Sequence, residues 1–115
     1  MRINHDLFRK MLILVADSDG TVDIETSSFY HLHDNYNLVG YHVSLLIQAG
    51  FIRGIDARCV DGQYDYACIE LTYKGQIYLE YIENDNVWNK LKQYLKDNAL
   101  PFSITAIEAY VKHSL

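Results

Sequence analysis

Proline is nearly missing from this chain. Pro101 is the only one in 115 residues, and no Pro- or Ser-rich stretch reads as a linker. Cysteine is scarce too. Cys59 and Cys68 are too few for a disulfide framework or a zinc site. Long apolar runs are absent. The longest, Met11 to Ala16, spans six residues, against about 20 for a bilayer-crossing helix. The N-terminal stretch has no small-residue cleavage site after it and does not read as a secretory signal. The expected location is therefore cytoplasmic. Positive charge is outnumbered: ten Lys and Arg face fifteen Asp and Glu, for a formal net charge of −5. That balance works against non-specific nucleic-acid binding without excluding a local basic patch.

Catalytic signatures are lacking as well. There is no G-x-S-x-G, P-loop, H-E-x-x-H or Gly-rich dinucleotide fingerprint. His31-x-His33-Asp34 has helical i, i+2 spacing, which points side chains apart, so no metal site is read there. Cys59 and Cys68 read as half-buried small hydrophobes with no sign of an activated thiolate. No enzyme activity, cofactor or metal is expected.

What is present is a core-forming composition, 50% hydrophobic, and ten tyrosines. One domain is the natural size. Leu7, Phe8, Met11, Leu12 and Val15 recur on one helical face, so residues 5–16 read as a helix capped by Asn4 or Asp6. Thr21 to Thr26 alternates with period two, a short strand. Ser28 to Asp34 reads as a short helix. Asn37 is the expected N-cap of a helix over Leu38–Ala49, with Val39, Val43, Leu46 and Ile47 inward and Gly50 as its left-handed terminator. Asp61-Gly62 signals a hairpin, with Arg58 opposite Asp65 across the ladder and no disulfide between the cysteines. Thr72 caps a helix from Tyr73 to about Asn84. A further helix follows Asn86, and a last one starts near Ser103, with Ile104, Ile107 and Val111 on one face.

Helix, strand, helix, helix, hairpin, helix is the order of a winged helix-turn-helix. The expected fold is thus α+β, a winged helix-turn-helix with a two-stranded wing and two additional C-terminal helices. Residues 1–84 form the winged-helix core, and residues 85–115 a helical extension of the same domain.

The residues also carry a resemblance. Tyr41-His42-Val43-Ser44-Leu45-Leu46-Ile47-Gln48-Ala49-Gly50-Phe51-Ile52 resembles the recognition-helix signature of bacterial winged-helix regulators. Leu71-Thr72-Tyr73-Lys74-Gly75 is similar to the step that follows the wing in those proteins. Leu71 through Lys92 resembles an uncharacterised family common in Firmicutes and their prophages, domain of unknown function 2513. The resemblance implies the fold and no activity.

Two functions remain. The first is a DNA-binding regulator that reads the major groove of double-stranded DNA with Asn37, Tyr41, His42, Ser44, Leu45 and Gln48. Arg53, Arg58 and Lys74 would touch its backbone. The helix itself holds no Lys or Arg between Asn37 and Ala49, and His42 has a simpler reading as a packed or capping residue. The second is a small mobile-element protein that uses the same face on a host protein, modulating or inhibiting a defence or transcription complex. Tyr30, Tyr36, Tyr41, Tyr64, Tyr66 and Tyr73 cluster around the helix-turn-helix and wing, as aromatic, charge-poor interfaces require. Trp88, Leu91, Tyr94, Leu95, Ile107 and Val111 are the candidate homodimer surface. Their alternative is to cover the first helix.

Overall fold

The computed structural model describes residues 1–59, 62–101, 103, 105–107 and 109–110. Its elements are α1 (His5–Asp17), a 3-10 helix (Thr26–Leu32), α2 (Tyr36–Gln48), β1 (Ile52–Asp56), β2 (Tyr66–Leu71), α3 (Tyr73–Ile82) and α4 (Asp85–Asp97). Residues 105–107 and 109–110 are helical too. The class is α+β, with β1 and β2 paired in a two-stranded antiparallel sheet. The chain divides into two units, Met1–Gln76 and Ile77–Leu115.

In the first unit, α1 starts at Asn4, whose Oδ1 accepts from the Leu7 N–H at 3.0 Å. Its buried face is Leu7, Phe8, Met11, Leu12 and Val15, as the spacing requires. It packs on β2, α2 and the 3-10 helix. Phe29, Val39, Val43, Leu46, Ile52 and Ile69 complete that core.

The expected strand at 21–26 does not form; residues 21–25 lie outside any helix or strand. Side chains intercept the backbone at both ends. Asp19 Oδ1 accepts from the Thr21 N–H at 2.9 Å, and Ser28 Oγ accepts from the Glu25 N–H at 3.1 Å. A backbone hydrogen bond to the sheet is kept, from the Ile69 N–H to the Ile24 carbonyl at 2.9 Å.

The second correction concerns α2. It begins at Tyr36, two residues before the expected start at Leu38, because Asn35 takes the capping role and accepts from the Leu38 N–H at 3.1 Å. Asn37 lies inside the helix. The C-terminal end is as read: Gly50 sits at φ +81°. The Gly50 N–H reaches Ile47 O at 3.0 Å and the Phe51 N–H reaches Leu46 O at 3.0 Å, a Schellman motif.

The hairpin register is split. Ile52 faces Leu71 and Arg53 faces Glu70, but Ile55 faces Ala67 and Asp56 faces Tyr66. An extra residue on β2 makes the shift, and Cys68 has φ +54° there. The bulge explains how Tyr66 and Ile69, three apart, are both buried. It also displaces the expected Arg58–Asp65 pairing: the Ala57 N–H donates to Asp65 O at 2.8 Å instead. Val60 and Asp61 of the expected turn lie outside the described residues.

α3 starts as read, with Thr72 Oγ1 accepting from the Gly75 N–H at 3.1 Å. Gly75 is required there, because a Cβ would stand 1.9 Å from the Phe51 carbonyl oxygen. In the second unit Asn84 caps α4, accepting from Asn86 and Val87 N–H groups at 2.9 and 3.1 Å. Trp88, Leu91 and Leu95 form its buried stripe. Burial pushes the Tyr78 phenol up to about 12.

Candidate functional site

α2 and the hairpin carry most of the residues singled out above, and the structure sorts them. Asn37 and Gln48 are exposed on α2, and Tyr41 and Leu45 are half-buried. His42 and Ser44 do not point outward: they are 0% and 5% exposed. Ser44 Oγ donates to Tyr41 O at 2.7 Å, one turn back. His42 Nδ1 bonds to Leu38 O at 2.8 Å, and its Nε2 accepts from the Asn4 N–H at 2.7 Å. Both ring nitrogens are thus used inside the protein. Burial, the largest cause, holds the His42 imidazole below the ordinary histidine range. Neither side chain is left to read a ligand.

The three cations expected to touch a phosphate backbone are all engaged. Arg53 Nε is paired with Glu70 Oε1, directly across the hairpin. Arg58 forks onto Asp56, with Nη2 at 2.7 Å and Nε at 3.1 Å. The guanidinium hydrogen bonds hold the Asp56 carboxyl below its ordinary range. Lys74 Nζ donates to Ala49 O at 3.0 Å and lies 5.4 Å from the Phe51 ring centre. A cation at the C-terminal end of α2 suits its dipole and its free carbonyls.

Tyrosine dominates what remains. Tyr30 and Tyr36 stack with ring centres 4.2 Å apart and planes 7° apart. Tyr41 and Tyr64 lie 6.2 Å apart, and Arg58 approaches the Tyr64 ring at 5.9 Å. The two pairs belong together because the hairpin arm lies on α2. A Cβ on Gly40 would be 2.7 Å from Tyr64 Cβ. Tyr36 is 57% exposed, a large aromatic surface with no structural need for solvent. Of the other expected cluster members, Tyr66 is core and Tyr73 is 82% exposed.

Thr26 is the residue that sequence reasoning missed. Fully buried, its Oγ1 accepts from the Tyr66 N–H at 2.8 Å and fastens the 3-10 helix to the start of β2. Beside this tie is a cleft of about 220 Å³ lined by Glu25, Ser27, Tyr30, Cys59, Gln63, Tyr64 and Asp65. A larger open cleft of about 440 Å³ has Val15, Val22, Ile24, Ile69 and Gln76 in its lining. Cys59 and Cys68 are both free and exposed rather than half-buried, Cys68 because the bulge turns it out.

The candidate dimer residues have a use within the chain. Trp88, Leu91, Leu95 and Ile107 are 3%, 0%, 1% and 0% exposed, which leaves little apolar area for a second copy. Tyr94 is half-buried against Tyr110, ring centres 5.1 Å apart. Val111 and Ile104 lie outside the described residues. Among the described residues, no helix is long and apolar enough to cross a membrane.

Comparison with known proteins adds a family and a relative. The family model described as "Hypothetical protein (DUF2513)" matches residues 2–101. An "Uncharacterized protein" of Haemophilus influenzae (strain ATCC 51907 / DSM 11121 / KW20 / Rd) is 34% identical over 109 residues, covering 94% of this chain and 90% of that protein. No solved structure matches.

Proposed function

The chain belongs to the DUF2513 family, and we propose that it is a winged-helix-type binding module whose α2–hairpin face recognises a protein partner. One observation carries this reading. The face offers stacked and tilted tyrosines, while Arg53, Arg58 and Lys74 are each held by an acceptor of the same chain. Aromatic, charge-poor patches are the composition of protein interfaces. Duplex DNA asks for unspent cations, since phosphate contacts supply most of its affinity.

A photo-crosslinking residue placed at the exposed Gln48 tests the reading in cells. A discrete protein adduct that disappears when Tyr36→Ser and Tyr41→Ser are introduced together supports it. Adducts made to DNA overturn it.

Duplex DNA is the second reading, and a specific observation favours it. Asn37 and Gln48 are the exposed polar residues of α2, and both side chains match an adenine edge. The Arg53–Glu70 and Arg58–Asp56 pairs are solvent-exposed, so exchange of carboxylate for phosphate is cheap. Binding in this mode is neutralised by salt, which separates it from the first reading.

A further inference from the structure

The cleft between the 3-10 helix and the hairpin arm has a chemistry of its own. Two aromatic rings, Tyr30 and Tyr64, and two carboxylates, Glu25 and Asp65, line it, with no Lys, Arg or His among the described residues that line it. We propose that this cleft receives an arginine side chain from a basic segment of the protein partner, a proposal that rests on the partner reading above.

Four features support it. First, the walls are held in place. The buried Thr26–Tyr66 bond sets Glu25 and Asp65, the residues just before each of its two ends, beside one opening. Tyr30 is braced by its stack on Tyr36, and Tyr64 by its seat on Gly40. Second, the volume, about 220 Å³, suits one long side chain rather than a whole cofactor. Third, guanidinium matches both wall types. It stacks on aromatic faces, and its planar fork meets carboxylates. The Tyr64 ring already draws a guanidinium, that of Arg58, whose charge is offset by Asp56. Fourth, the carboxylates are unequal. Glu25 accepts from Ser27 Oγ at 2.9 Å, which orients it. Asp65 contributes its backbone carbonyl to the hairpin, and the residue is exposed. Asp65 is therefore the group that meets the incoming charge, on a chain whose net charge of −5 favours basic partners.

The test uses the full chain, isotope-labelled, and two capped pentapeptides, Gly-Gly-Arg-Gly-Gly and its analogue with neutral citrulline at the centre. Amide shifts are followed by NMR. The arginine peptide is expected to move residues 25, 27, 30, 59 and 63–65, with affinity in the range of roughly 1 mM that a single side chain gives. The citrulline peptide is expected to bind about tenfold more weakly, as is the arginine peptide to Asp65→Asn. Glu25→Gln is the second variant, and circular dichroism verifies that both fold. Equal shifts from both peptides, or arginine shifts located elsewhere, overturn the proposal. Arginine shifts at these residues in a chain whose Gln48 crosslinker captures only DNA would support the cleft and remove the partner reading. A tyrosine-dependent protein adduct with no arginine shifts would do the reverse.

Discussion

The backbone N–H of Asn4 donates to Nε2 of His42 at 2.7 Å, joining two residues 38 positions apart. Asn4 is also the cap of α1. Because Nε2 accepts, Nδ1 carries the ring proton and donates it to Leu38 O. One neutral imidazole thus ties the start of α1 to the body of α2. Phe8 closes over it edge-on, ring centres 5.1 Å apart.

This tie makes stability sensitive to acid. Burial lowers the pKa of His42 and of His5; at His42 the hydrogen bond to Leu38 O opposes the shift in part, and His33 adds to it. A proton then binds the unfolded chain more readily than the folded one. Stability is fully present above the unfolded value of about 6.5 and is lost as pH falls toward the lower folded values. The thermal midpoint should drop between about pH 7 and pH 5, and the drop should shrink in His42→Gln. A wild-type midpoint that is flat over that interval would contradict the tie.

Thr26→Val keeps the shape of the side chain and removes the acceptor of the buried Tyr66 N–H. The expected cost is about 1–3 kcal/mol in chemical denaturation, the penalty for an unmade buried hydrogen bond. A variant as stable as wild type would mean that the bond contributes nothing.

Cys68 holds a left-handed backbone, φ +54°, without being glycine. Such a conformation costs roughly 1–2 kcal/mol in an L-residue, and glycine's extra chain entropy offsets part of the relief. Cys68→Gly should therefore raise stability slightly, by about 0.5 kcal/mol. A clear loss would show that the thiol makes a compensating contact.

Gly75→Ala should be severe. The added Cβ meets the Phe51 carbonyl oxygen, which belongs to a backbone already fixed by the α2 terminator. A loss of about 3 kcal/mol or more is expected. Gly40→Ala meets Tyr64 Cβ at 2.7 Å and should cost less, about 1–2 kcal/mol, because the hairpin arm can shift. Its stronger signature should be a changed environment of Tyr64 in NMR.

Much of this architecture was legible in the sequence, and the failures have physical causes. α1 and α3 announce their starts through short polar caps, and α1 and α4 their buried faces through apolar spacing; the cap of α4, Asn84, falls where the helix from Tyr73 was expected to run on, because α3 ends at Ile82. The C-terminal end of α2 is legible because Gly50 alone satisfies the geometry there. Its start is ambiguous in the sequence, since Asn35 and Asn37 are both good caps and only the fold chooses between them. The alternation at 21–26 yields no strand: side-chain bonds from Asp19 and Ser28 take up its ends, and the Ile24 carbonyl and Thr26 Oγ1 tie it to β2. The bulge at Cys68 has no sequence mark, because a cysteine does not advertise positive φ. The site suffered from the same limit. The exposure of Asn37 and Gln48 followed from helical spacing, whereas the burial of His42 and Ser44 depended on Asn4 and on a local carbonyl. Thr26 looks like one more strand residue in the sequence, since its partner lies 40 positions away.

On the function proposed above, the α2–hairpin face serves a protein and not duplex DNA. Fluorescence anisotropy with labelled duplexes, including the gene's own upstream region, tests it most directly across a salt series from about 50 to 200 mM. The account predicts no saturable binding at the lowest salt, and no difference between the wild type and the Arg53→Ala, Arg58→Ala double variant. Tight binding to selected duplexes that weakens steeply with salt, and weakens again in the double variant, would contradict it.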